Sequence, residues 1–207
     1  MWDFTVFIIL VVICYLVYRW VKRNRREEKD YRNHVPETFV VVDVETTGLD
    51  PGRHEIIEIG AIKINRGSNE HKSLTALVKP SRKIPKKITK ITGITQKMVD
   101  NDGEELDSVI IDFLDFFEEY RLVAYNAPFD MAFLERAAAK VDRRIDNPVS
   151  DALVMARKAF PGLKSYKLSK VAGVAGLASE DAHRALADCK MTAVVYGAVA
   201  AELGRVD

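Results

Sequence analysis

Residues 39–48 read FVVVDVETTG, a β-branched run of core character that carries two carboxylates. A strand alternates its faces with a period of two, so Val40, Val42 and Val44 point one way while Val41, Asp43 and Glu45 point the other. Both acids therefore share a face. About 6.6 Å apart, they repel by roughly 2.5 kcal/mol at an effective dielectric near 20. A bound cation offsets that repulsion and an exposed strand face relieves it; the acid-x-acid pattern alone fits both.

The stretches on either side supply the rest of a sheet. EIIEIGAIKIN (55–65) has strand character, and HKSLTALVK (71–79) follows the turn signal RGSN. Three neighbouring strands predict an antiparallel meander. A short helical piece then ends at TGIT (92–95), with Gly93 as its C-cap. From Gly103 to Tyr120, apolar residues recur at spacings of three and four, which predicts an amphipathic helix. LVAYN (122–126) reads as a short strand, and Pro128 opens a helix that runs to about Val141. The remainder reads as helical: DALVMARKAF, SYKLSKVAG and HRALADCKMTAVVYGAVAAEL. Strands first and helices interleaved with further strand define a three-layer α/β domain with a mixed sheet.

Three more features bear on the acid pair. NAPFD (126–130) puts Asp130 in the first turn of a helix that begins where a strand ends, the place where α/β sheets gather their sites. A carboxylate complementing the helix dipole gives the same pattern. HRALAD (183–188) supplies His183 and Asp188, which on a regular helix would lie about 140° apart. His183 is therefore expected on the preceding loop or the very first turn, and Asp188 one turn in. Such a histidine is either a base at the lip of a carboxylate cluster or a surface residue without a partner. The TTG after Glu45 ends the strand in a flexible bend whose N–H groups can approach a ligand.

DVETTG, ITGIT, NAPFD and HRALAD, in that order, make the chain resemble the DEDDh branch of the 3′-to-5′ exonucleases. That branch includes the epsilon proofreading subunit of bacterial DNA polymerase III, and the resemblance covers about residues 37–203. It implies a ribonuclease H-like three-layer fold with a mixed five-stranded sheet. It also implies that Asp43, Glu45, Asp130 and Asp188 hold two divalent cations and that His183 is the general base. Thr46, Thr47, Gly48, Thr92, Gly93 and Ile94 would border the terminal nucleotide, and Phe129 would line its pocket. An all-carboxylate ligand set favours hard ions, Mg²⁺ or Mn²⁺. The implied partner is a nucleic acid with a free 3′ end, single-stranded DNA in the first instance, and the products are nucleoside 5′-monophosphates. Two alternatives accompany this reading: an exoribonuclease acting on short RNA, and a catalytically silent nucleic-acid-binding module.

The N-terminus has a different character. Residues 4–18, FTVFIILVVICYLVY, contain no charge, and extended to Trp20 they give a helix of roughly 25 Å, near the lower limit for a membrane span. Asp3 precedes the run, and Arg19, Trp20 and Val21 follow it, unlike a cleavable signal. Residues 1–21 are expected to form an uncleaved transmembrane anchor, 22–36 a charged linker and 37–207 the catalytic domain. Arg19, Lys22, Arg23, Arg25 and Arg26 just beyond the span predict a single-pass protein of the cytoplasmic membrane with its domain on the cytoplasmic side.

The first 35 residues hold 7 of the 31 bases and 4 of the 30 acids, so the rest carries 24 and 26, a slight negative excess unlike a generic basic nucleic-acid binder. Locally, Lys79, Arg82, Lys83, Lys86, Lys87 and Lys90 occur with no acid among them. They suit either phosphate tracking or a solvated loop. Only Cys14 and Cys189 are present, one of them in the apolar run, which fits a reducing compartment without a disulfide.

Overall fold

A computed structural model describes residues 35–177 and 183–204. The expected anchor and most of the linker lie outside them. Among the described residues no helix is long and apolar enough to cross a membrane.

Strands β1 (Thr38–Thr46), β2 (Ile56–Asn65), β3 (Lys72–Leu77), β4 (Arg121–Ala124) and β5 (Val149–Asp151) form one sheet in the order β3-β2-β1-β4-β5. The first three strands make the antiparallel meander, and β4 and β5 join in parallel, so the sheet is mixed. The central strand is buried on both faces by its own alternation. Val40, Val42 and Val44 enter one core with α3 (Leu106–Phe117) and α4 (Ala127–Lys140). Phe39 and Val41 enter a second core with α5 (Ala152–Ala159), α6 (Leu168–Val174) and α7 (Ala185–Leu203). Helices on both faces of the sheet complete the three layers.

Two short helices, α1 (Lys86–Thr92) and α2 (Gln96–Asp102), lie between the meander and α3. They cover a small separate core of Ile57, Ile84, Ile94 and Val99. Gly93 closes α1 with φ 72°, a left-handed conformation that suits glycine. Between that cap and Gly103 the structure adds α2, a seven-residue helix not expected from the sequence, whose Thr95 cap accepts a hydrogen bond from Met98 N at 3.2 Å.

The expectation that everything after Val141 is helical is corrected by β5. Three residues show no periodicity, and this strand exists through its pairing to β4, Leu122 with Val149 through Ala124 with Asp151. Asp151 then caps α5, its Oδ1 accepting from Leu153 N at 2.9 Å and Val154 N at 3.3 Å.

Candidate active site

Asp43 and Glu45 lie on the face of β1 that looks toward α7, as the strand alternation requires. What lets a helix cross so close to them is Gly60. It pairs with Asp43 across the β1–β2 ladder, and a Cβ there would sit 2.6 Å from the backbone of Ala185 and Leu186. The absent side chain brings the first turn of α7 down onto the sheet. Asp188 N donates to Arg184 O at 2.9 Å, so Asp188 stands one turn inside the helix. Cys189 Sγ lies 3.2 Å from Gly60 O beneath it.

The outcome is a cluster in which Asp43, Glu45 and Asp188 each offer a carboxylate oxygen, all within 4.8 Å of one another. Asp130 arrives from the opposite face of the sheet. It is 2% exposed in the first turn of α4, and its Oδ1 accepts from Val44 N at 3.1 Å. It adjoins the cluster through its charge. Burial raises the Asp43 pKa well above the ordinary range, and Asp130, Asp188 and Glu45 push it further. Asp130 is itself raised, chiefly by burial, with the Val44 N–H acting against the shift. Glu45 is raised to about 7 by burial and by Asp188 and Glu58, with Arg184 opposing. Asp188 is raised to about 6 by burial, while the nearby His183 lowers it. Asp43, Glu45 and Asp188 bring hard oxygen donors close enough together to fit a divalent cation, whose charge would reverse the cost of ionising them, and Asp130 lies outside that group.

His183 is exposed and stands immediately before Arg184, the N-cap residue of α7. This is the loop position that the helical angle required.

Beside the acids opens a cavity of about 660 Å³, lined by Glu45, Thr46, Thr47, Gly48, Thr92 and Phe129 among others. Gly93 and Ile94 lie outside its wall, and Ile94 is fully buried in the small core. The TTG bend is tied down more firmly than expected. Thr46 Oγ1 donates to Gly48 O at 2.7 Å, Thr47 N donates to Glu55 O at 2.8 Å, and Thr47 Oγ1 accepts from Glu55 N at 2.9 Å. The N–H of Thr47 is therefore already used within the loop.

Four residues that the sequence reading did not single out take part. Leu49, 82% exposed, and Ile91 present apolar surface on the cavity wall. His54 also lines it, and its ring fills the space where a side chain on Gly48 would go. Glu58, paired with Glu45 across the ladder and 2% exposed, holds Arg184 in an ion pair. The signal for Glu58 was a carboxylate inside the apolar run EIIEIG, the same anomaly that drew attention to Asp43.

A mixed sheet covered by helices on both faces, with acids gathered on its central strand, is the ribonuclease H-like architecture of exonucleases. Residues 40–196 match the Exonuclease family (RNase_T). The DNA polymerase III epsilon subunit of Aquifex aeolicus is 33% identical over 184 residues, covering 88% of this chain and 90% of that protein. The PolC-type DNA polymerase III of Thermotoga maritima is 46% identical over 160 residues, 77% of this chain; the match spans only 12% of that polymerase. Among solved structures, Exonuclease X in complex with 5′-overhanging duplex DNA superposes with a TM-score of 0.61 at 26% identity, covering 76% of this chain and 87% of that one. This chain belongs to the Exonuclease family.

Proposed function

We propose that the protein removes nucleotides one at a time from the 3′ end of single-stranded DNA, releasing nucleoside 5′-monophosphates, with two Mg²⁺ or Mn²⁺ ions as cofactors. The observation that carries this reading is the carboxylate cluster of Asp43, Glu45 and Asp188 opening beside a cavity of about 660 Å³. Asp43, Glu45, Asp130 and Asp188 would hold the ions, which supply Lewis-acid activation of water and charge neutralisation at the scissile phosphate.

This chain's own residues do the rest. Thr46, Thr47 and Gly48 form a bend braced by internal hydrogen bonds and give the terminal nucleotide a rigid wall. Phe129 packs on Phe133 with ring centroids 5.2 Å apart, which holds its ring steady at the cavity edge. Leu49 and Ile91 offer apolar surface to a base. His183, exposed on the loop ahead of Asp188, accepts the proton of the attacking water; a positioned base of this kind is worth roughly 10² to 10⁴ in rate. Lys87, on the cavity wall, belongs to the acid-free basic stretch and suits the phosphates of an incoming strand.

The same reading keeps the tether. The uncharged run 4–18 followed by five bases supports a single-pass anchor in the cytoplasmic membrane, with the nuclease on the cytoplasmic side.

Matched 3′-labelled DNA and RNA oligomers, single- and double-stranded, are digested with Mg²⁺ and with EDTA. Mg²⁺-dependent release of mononucleotides, fastest on single-stranded DNA, is expected. Faster digestion of short RNA would replace the substrate, and retention of the oligomer without cleavage would leave a binding module.

A further inference from the structure

Glu58 is a fifth carboxylate at the acid cluster, but its partners differ from those of the other four. Arg184 Nη2 meets its Oε1 at 2.6 Å, and Arg184 Nε reaches Oε1 at 3.0 Å and Oε2 at 3.1 Å. Ala185 N donates to Oε2 at 2.9 Å. One buried carboxylate is thus gripped by the two residues that directly follow His183. A guanidinium fork fixes orientation as well as distance, which a single lysine contact does not.

We propose that the Glu58–Arg184 pair is a positioning clamp that sets His183 against the carboxylate cluster. The proposal rests on the reading of His183 as the proton acceptor. Glu58, Gly60 and Ile62 share one face of β2 by strand alternation, and each meets α7 or its start. Arg184 and Ala185 hold Glu58, the backbone of Ala185 and Leu186 lies over Gly60, and Ile62 joins the core below. The face of β2 thereby fixes the height and rotation of the first turn of α7. Asp188 is carried within α7 by the helix's own hydrogen bonding, whereas His183 stands on the loop one residue before Arg184, so the clamp bears on the base. Arg184 also offsets part of the charge that Glu58 adds to the neighbouring acids. Arg184 acts as a positioning residue, through His183, and has no part in the chemistry itself.

The test uses the full-length chain and a 3′-labelled single-stranded DNA. Arg184→Lys keeps the charge and removes the fork. It is made alone and together with His183→Ala, with Mn²⁺ affinity measured in parallel by electron paramagnetic resonance. Misplacement of a catalytic group by about 1 Å costs up to about a hundredfold in rate. Arg184→Lys should therefore lower kcat by roughly ten- to a hundredfold with KM and Mn²⁺ affinity near wild type, and should cost less than about twofold more when His183 is already alanine. Glu58→Gln leaves no buried charge and carries the same test if Arg184→Lys does not fold. Wild-type kcat in both clamp variants, or an equal loss with and without His183, overturns the clamp while leaving His183 as the base. Wild-type kcat in His183→Ala alone overturns the assignment of the base, and with it the group that the clamp serves.

Discussion

Glu45 allows the electrostatic cost of the site to be measured without following the reaction. Its carboxyl ordinarily titrates at 4.5 and here stands at about 7, through burial first and then Asp188 and Glu58. Because the folded value lies above the ordinary one, the folded protein binds this proton more tightly than the unfolded chain. The resulting stability is present in full below about pH 4.5 and is lost as pH rises through about 7. The gap corresponds to about 3 kcal/mol. Partial exposure of the carboxylate and solvent screening reduce this to roughly 2 kcal/mol.

Glu45→Gln has nearly the same shape and does not titrate. In EDTA at pH 8 it should melt about 4–8 °C above wild type, taking 2–4 °C per kcal/mol for a chain of this size. Near pH 4.5 the difference should vanish. Saturating Mg²⁺ should raise the wild-type melting temperature at pH 8 and act much less on the variant. Circular dichroism melts at the two pH values supply the measurement. A variant that melts at or below the wild-type temperature at pH 8 in EDTA would refute the strained-acid account of the cluster.

Other expectations separate the roles of the remaining groups. Asp43→Ala should abolish both nuclease activity and Mn²⁺ binding, whereas His183→Ala should lower turnover by roughly 10² to 10⁴ and leave metal affinity largely intact; calorimetric titration that finds equal affinities in the two variants counts against this division. Gly60→Ala should destabilise the fold by about 1–3 kcal/mol and slow cleavage, because its Cβ meets the α7 backbone at 2.6 Å. Wild-type stability and rate in Gly60→Ala would mean that the close crossing does not position Asp188.

Much of this was legible in the order of the residues. The alternation of FVVVDVETTG settles which face of β1 carries Asp43 and Glu45, because the period of a strand is a local property of the backbone. The angle between positions on a helix was enough to put His183 on a loop ahead of Asp188. Gly93 as a helix cap follows equally from local conformation. Local chemistry does not reach as far as β5, whose three residues are a strand only because β4 lies beside them. Nor does it separate Gly93 and Ile94, which lie outside the cavity, from Thr92, which lines it. That depends on how the small core under α1 and α2 closes around Ile94.

Which chemical groups are present, their order along the chain and the face each takes within its own element can be read from the residues alone. Their convergence is a property of the fold. β1, α4 and α7 bring acids from positions up to 145 residues apart to the same place. Two other decisions also belong to the fold: the spending of Glu58 on Arg184, and the approach of α7 over Gly60. The physical reason is range. Backbone periodicity acts over a few residues, whereas the free energy of a charge depends on every neighbour that folding brings within a few ångströms, and several of those neighbours are more than eighty residues away in sequence.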